Sequence, residues 1–375
     1  MALWIGASIL WSADPAISTR RAIAYAGSLM IIVTLAFATP PREVIRALVW
    51  ITIGILIVTA ILFFVDPTYA VHQAGQIGVA EHAGRLRGTF SHKNEFARMV
   101  AAGFAVLLLF GRAVLPFRKL WFAMLALGVA LLLLAGSAKI VIAFPVALVA
   151  VWLVRVPIAP PYRFLVLVLL GGPLMLVYAS GMLDAAIEAV FGSLGRTAGM
   201  SGRDEIWAAA WHSIARHPVF GQGYYAGWAN EAQAEILGRK YISLGHAHNG
   251  FLETLLDLGA IGLALALIPL IYLALRAVAV PPGQVERLQG LAAMWIVLDL
   301  TLNFAGSYLI NYNDLYPTMT LLLCLWFVRL DRGTIDERSL ALLSAPPARV
   351  KRRPRLAPGP LPASEPGVAH PSADV

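Results

Sequence analysis

Residues 44–65 read VIRALVWITIGILIVTAILFFV, and Arg46 is the single charge among them. An α-helix rises 1.5 Å per residue, so about 20 apolar residues cross a bilayer's hydrocarbon core. Comparable runs recur at 22–38, 95–111, 119–135, 139–154, 163–181, 250–275, 288–306 and 314–330. None alternates apolar with polar residues, as the strands of an outer-membrane barrel would. Only 13% of the chain is charged and 59% is hydrophobic, against about 25% charged in soluble domains. These observations predict an all-α, polytopic transmembrane helix bundle of about 9–11 membrane helices.

Charge orients the bundle. If the 182–249 segment lies outside, the short inside turns hold Arg42 and Arg46, then Arg112, Arg118 and Lys119, then Arg155 and Arg163, then Arg276 and Arg287. Each carries at least two basic residues, as inside loops do. The same rule accounts for the net charge of +8 and for the KRRPR run near the C-terminus, with no nucleic-acid partner required. Residues 1–332 are expected to form one membrane domain. The Pro- and Arg-rich 333–375 segment reads as a disordered cytoplasmic tail. With Cys324 alone, no intramolecular disulfide can form. Residues 2–11 are too short to span and are followed by the polar WSADP, so they form a half-span, or upstream helices lie outside this chain.

Two outside segments are long, 66–94 and 182–249. Both are rich in aromatics and glycine rather than in the residues of disorder. Seven histidines fall on this side (His72, His82, His92, His212, His217, His246 and His248), and only His370 does not. The stretch 201–262 concentrates polar chemistry. Its SGRD start reads as a capping box from Ser201 to Asp204. Ile206, Trp207, Ala210, Trp211 and Ile214 then repeat at helical spacing, the pattern of an amphipathic helix at a membrane surface. Arg203 sits in the first turn, where free amides and the helix dipole favour an anion. It could equally reach lipid phosphates or pair with an acid.

HAHNGFLE opens the next membrane helix. His248 there suits a general base near neutral pH, or is an interfacial polar residue beside a helix capped by Asn249, with Glu253 one turn on. His246 and His248 lack an obvious third partner for a metal. In the earlier loop, GRLRGTFSHKNEFAR gathers Arg85, Arg87, His92, Lys93 and Asn94 before a helix. Arg87 beside Gly88 is a candidate diphosphate contact or an interfacial anchor. Arg98 is expected to pair with Asn94 or Glu95. Asp299, Asn303 and Ser307 form a stripe at i, i+4, i+8, which marks either a site or helix–helix hydrogen bonding. Lys139 reads as a snorkelling residue at an outside helix end. There is no P-loop, GxGxxG, HExxH or Asp-x-Asp pair, so neither a metal nor another cofactor is expected.

Together, SGRDEIW, HPVFGQG and HAHNGFLETLLDLGAIG, preceded by RGTFSHKN, resemble the O-antigen ligase and polymerase superfamily over about residues 8–330. RGTFSHKN and the early WSADP are most similar to its exopolysaccharide-polymerase branch. The resemblance implies a metal-independent glycosyltransferase of the bacterial inner membrane with its site facing the periplasm. Its donor would be a glycan on undecaprenyl diphosphate, and its acceptor hydroxyl would lie on a glycan, a lipid A core or another molecule. By that resemblance His248 deprotonates the acceptor, attack on the anomeric carbon proceeds with inversion, and Arg87 and Arg203 hold the diphosphate. Lys93, Asn94, Asn249, Glu253, Gly221 and Gly223 fall on substrate-side motif positions. Polymerase, ligase and protein O-glycosyltransferase stay open. The chain departs from the family at SAKI, where the branch has Ser-Lys-Thr, and at Gly306, where an acidic residue is frequent. The family also normally has further helices before WSADP. A polysaccharide or small-solute transporter is the alternative, but it would place polar groups on several membrane helices rather than in outside loops.

Overall fold

The computed structural model describes residues 1–74, 82–156, 158–163, 165, 203–229, 246–280, 284–304 and 306–344. Among them the regular elements are helical, and one isolated bridge pairs Val71 with Leu86. The helices are α1 (Ala2–Ala7, followed by a 3₁₀ turn at Ser8–Trp11), α2 (Pro15–Ala38), α3 (Pro41–Val65), α4 (Pro67–Ala70), α5 (Lys93–Val114), α6 (Arg118–Ala135) and α7 (Ala138–Arg155). They continue as α8 (Arg203–Arg216), α9 (Gly250–Ala279), α10 (Glu286–Asn303), α11 (Leu315–Asp331) and α12 (Glu337–Leu343). The 163–181 span and the 201–202 start of the expected capping box lie outside the described residues, as does the tail beyond 344.

Five of these helices (α2, α3, α5, α6 and α9) are long and apolar enough to cross a membrane. Helices α7, α10 and α11 pack among them. Helix α10 is the most enclosed: Leu291, Met294, Trp295 and Leu298 are fully buried against α7, α5, α9 and α11. By contrast α2, α3 and α6 expose Met30, Ile31, Trp50, Ile61, Phe64 and Leu133. A surface that apolar is stable against lipid tails and would be a liability in water. Alternation along the chain sets two ends to the bundle. One end holds the starts of α2, α5, α7, α9 and α11 and the finishes of α3, α6 and α10. The turns that hold Arg42 and Arg46, then Arg112, Arg118 and Lys119, then Arg276 and Arg287 sit at the other.

Two expected features are rearranged. Helix α10 stops at Asn303, whose side chain turns back onto Asp299, donating to its carbonyl (3.0 Å) and its carboxylate (2.7 Å). Asp299 also accepts from Thr320 on α11 at 2.8 Å, so Asp299 and Asn303 tie helix to helix and Ser307 leaves the stripe for the turn beyond. Arg98 bypasses Asn94 and Glu95 and pairs with Asp314, 2.6 Å from each carboxylate oxygen. Its guanidinium lies over the Tyr308 ring, 4.1 Å from the centroid.

The N-terminal stub is an anchor on the 217–225 segment. Trp4 and Trp11 donate their indole N–H groups to the carbonyls of Leu258 and Phe220, each at 3.1 Å. Ala13 N–H donates to the Gln222 carbonyl at 2.8 Å, and Ser8 Oγ accepts from Tyr224 N–H at 3.2 Å.

Candidate active site at the opening of helix α9

The site is organised around the peptide of Ala247, which is completely buried. Its N–H donates to Oε2 of Glu253, one turn into α9. Its carbonyl accepts from the Trp207 indole of α8 at 2.9 Å. Glu253 is otherwise filled by donors, Trp228 Nε1 at 2.9 Å on Oε1 and Ser307 Oγ at 3.2 Å on Oε2. A buried carboxyl group is tolerated only when so satisfied. The flanking residues His246 and His248 are thereby fixed. Their rings meet edge to face with centroids 4.0 Å apart.

His248 has φ of 53°, in the left-handed region that few non-glycine residues occupy. Strain of this kind persists only where surrounding contacts over-determine it, and it collects at functional positions. The next residue, Asn249, caps α9 by accepting from Phe251 N–H (3.0 Å) and Leu252 N–H (3.1 Å). The reading of Asn249 as a helix cap therefore holds in the structure. His246 keeps an exposed face, and partial desolvation and then the nearby Lys139 ammonium hold it below its ordinary pKa.

Helix α8 is described from Arg203 onward, and the expected capping start before it lies outside the described residues. The Arg203 side chain lies outside them as well. The face that α8 buries is Ile206, Ala209, Ala210 and Ile214, packed with Trp228, Leu252 and Leu256. Trp211, expected on that face, is 54% exposed instead, because the stripe that meets α9 is centred on Ala209 and Ala210.

Gly221 and Gly223 serve a clasp. Gln222 and Gly223 donate their N–H groups to the carbonyls of Leu256 and Asp257 at 3.1 and 2.8 Å, and Ala260 donates to the Pro218 carbonyl at 2.9 Å. The pairing occurs where α9 breaks at Gly259 (φ 67°, ψ −170°). A Cβ on Gly221 would sit 2.5 Å from the Asp257 backbone, and one on Gly223 would sit 2.4 Å from Ser12 Oγ. Both glycines also have positive φ, so close backbone approach demands them. The carboxylate of Asp257 accepts from Tyr225 N–H (2.9 Å) and Gly227 N–H (3.0 Å), closing the clasp.

The earlier loop reaches the same end of the bundle through the turn before α7. Lys93 Nζ donates to the Gly136 carbonyl at 3.4 Å, Ser137 Oγ donates to Asn94 Oδ1 at 3.3 Å, and Leu86 N–H donates to the Leu134 carbonyl at 3.2 Å. Lys139, two residues beyond Ser137, is the cation that acts on His246. Arg87 is half-buried, donates Nε–H to the Tyr69 carbonyl at 3.0 Å and covers the Tyr69 ring. Its terminal nitrogens find no acceptor among the described residues. His92 caps α5, its Nδ1 accepting from Asn94 N–H at 3.1 Å. It packs against His72 and His82, with ring centroids 5.2 and 5.0 Å away.

The structure thus joins His248, Asn249 and Glu253 in one cluster with α8, and it links Lys93 and Asn94 to that end through Ser137 and Lys139. Ser307, read as part of a stripe marking either a site or helix–helix hydrogen bonding, joins it through Glu253, whereas Trp207 and Trp228 were not anticipated as part of it. Their signal was weak: an indole N–H in a polar segment needs a partner, and the sequence does not say which one.

Comparison with known proteins places this end of the bundle in context. The O-Antigen ligase family model (Wzy_C) matches residues 122–267, from α6 into α9, which takes in Arg203 and His248 and leaves Arg87 outside. The chain is 27% identical over 293 residues to "Exopolysaccharide production protein ExoQ" of Rhizobium meliloti (strain 1021), covering 70% of this chain and 62% of that protein. It therefore spans under two thirds of that relative's length. The chain, with five helices long and apolar enough to cross a membrane, is thus similar to the O-antigen ligase family over residues 122–267.

Proposed function

We propose that this protein is a glycosyltransferase that moves a glycan from a polyprenyl-diphosphate lipid, typically undecaprenyl diphosphate, to an acceptor hydroxyl. It works in the bacterial inner membrane with the α9 opening facing the periplasm. The observation that carries the reading is the double clamp on Ala247, which fixes His248 in a strained conformation at a helix start, at the bundle end that also bears Arg87, Lys93 and Lys139. His248 takes the proton of the acceptor hydroxyl. The freed oxygen forms the new bond to the anomeric carbon as the bond to the diphosphate oxygen breaks on the opposite face, inverting the centre. The electron pair leaves on the diphosphate, and Arg87, Arg203 and Lys93 supply the positive charge that such a departure needs. Protein cations here take the part that a metal ion plays in other diphosphate chemistry. Glu253 and Asn249 act through His248 as positioning residues, and Gly221 and Gly223 hold the clasp at the break in α9.

Reconstitution in liposomes with undecaprenyl-diphosphate oligosaccharide and candidate acceptors tests the reading. Released lipid diphosphate in step with an extended glycan supports it, and product size separates chain growth from a single transfer to a lipid A core or another acceptor. Failure to consume the donor with every acceptor class would refute it. Arg87→Ala and Arg203→Ala should each raise the donor KM by about tenfold or more, as loss of a charge-assisted contact does.

A further inference from the structure

The opposite end of the bundle holds a second feature. A cavity of about 630 Å³ is lined by Arg42, Arg46, Arg287 and Arg338, with one carboxylate, Glu43. It sits among the start of α3, the end of α5, the start of α10 and helix α12. Helix α3 is 25 residues long and ends beside the Arg87 loop, so the cavity lies about 37 Å from that end.

Three of the four guanidiniums have no acid in a salt bridge among the described residues. Arg42 is the neutralised one, 2.8 Å from Asp336 and 3.6 Å from Glu43. Arg287 donates Nη1–H to the carbonyls of Leu342 and Ser344 at 2.9 and 2.8 Å, which orders the side chain without cancelling its charge. Arg46 and Arg338 are exposed, and neither has an acceptor among the described residues. Like charges gathered in one concavity repel unless an anion joins them. The fork geometry of guanidinium matches phosphate oxygens in particular. The apolar rim, with Ala113 and Leu342, places the cavity where spanning helices end, at the depth of lipid headgroups. Basic pockets between helices at that depth hold anionic headgroups.

We propose that this cavity is a binding site for a phosphate oxyanion, carried on an anionic phospholipid headgroup of the adjoining leaflet or present as a free ion. Arg46 and Arg338 are its recognition residues, and Arg287 is the preset third cation.

The test is native mass spectrometry of the full chain in detergent, titrated separately with phosphatidylglycerol, phosphatidylcholine and inorganic phosphate. Phosphatidylglycerol or phosphate should bind, and Arg46→Gln/Arg338→Gln should weaken that binding by about tenfold or more. Arg118→Gln/Lys119→Gln, which removes charge from the same end outside the cavity, should leave it unchanged. Competition by millimolar phosphate identifies the free ion as sufficient, and its absence identifies the lipid headgroup. Equal affinity for phosphatidylglycerol and phosphatidylcholine with no phosphate binding overturns the proposal, as does unaltered binding in the cavity variant. Both targeted side chains are exposed, so the fold should persist. If the double variant melts early, Arg338→Gln alone reports on the same site.

Discussion

The indole Nε1 of Trp207 donates a 2.9 Å hydrogen bond to the carbonyl of Ala247, the residue between the two histidines that open α9. Forty residues of chain separate the two groups, yet this bond and the Glu253 contact on the same peptide leave His248 little freedom. The base proposed at His248 would gain from orientation as much as from its chemistry.

Trp207→Phe keeps the ring and removes the donor. A buried carbonyl without a partner costs about 1–3 kcal/mol, spent here on the placement of His248. Transfer should slow by about tenfold, with kcat reduced and the donor KM unchanged. Equal kcat for variant and wild type would detach α8 from the base.

Glu253→Gln tests the other half of the clamp. The native carboxyl group meets three donors (Trp228, Ala247 and Ser307), and an amide must turn its own NH₂ toward one of them. Activity should fall by about tenfold or more, as one unsatisfied buried group implies, with membrane insertion retained. Wild-type turnover would assign Glu253 no positioning role.

The Arg98–Asp314 pair predicts a stability effect separate from catalysis. Both side chains are nearly excluded from solvent, at 6% and 7% exposure. Asp314→Ala strands a buried guanidinium and should cost about 3–5 kcal/mol, whereas replacing both partners with apolar residues should recover most of it. Thermal unfolding in detergent distinguishes the cases. If the double replacement were as unstable as the single one, the pair itself would be contributing the stability.

Acid should loosen the start of α5. Enclosure first, then His82, His72 and Lys93, push the His92 pKa down to about 4, with Glu95 opposing. The folded state therefore binds this proton more weakly than the unfolded chain, whose histidines titrate near 6.5. The stabilisation is complete above about pH 6.5 and is lost as pH falls toward 4. Protonation at Nδ1 also removes the cap on Asn94 N–H. Hydrogen exchange at residues 93–97 should accelerate over that window in wild type and not in His92→Asn, which keeps a capping oxygen. Identical profiles would refute the coupling.

Much of the fold was legible because apolar runs of spanning length have few solutions in a bilayer. The run at 44–65 became α3, from Pro41 to Val65. The cap on α9 was legible too, since Asn249 just before an apolar run follows from spacing. What escaped were choices of partner made across the chain. Arg98 had Asn94 and Glu95 at hand and took Asp314, 216 residues away, because the start of α11 brings a carboxylate into a buried space. Ser307 left its stripe because Asn303 folded back on Asp299 and ended α10. Trp211 left the buried face of α8 because helical spacing alone does not say where a stripe is centred. The stub at residues 2–11 carried no spanning signal, and its role as an anchor lies in the indole contacts to Phe220 and Leu258.

The most direct test of the account is turnover by His248→Ala in liposomes with undecaprenyl-diphosphate oligosaccharide, compared with wild type at equal membrane content. Loss of a positioned general base should lower kcat by about 10²–10⁴-fold, with donor binding intact, since Arg87 and Arg203 are untouched. Turnover within about twofold of wild type would show that the hydroxyl loses its proton elsewhere, and the assignment of the α9 opening as the catalytic centre would fall with it.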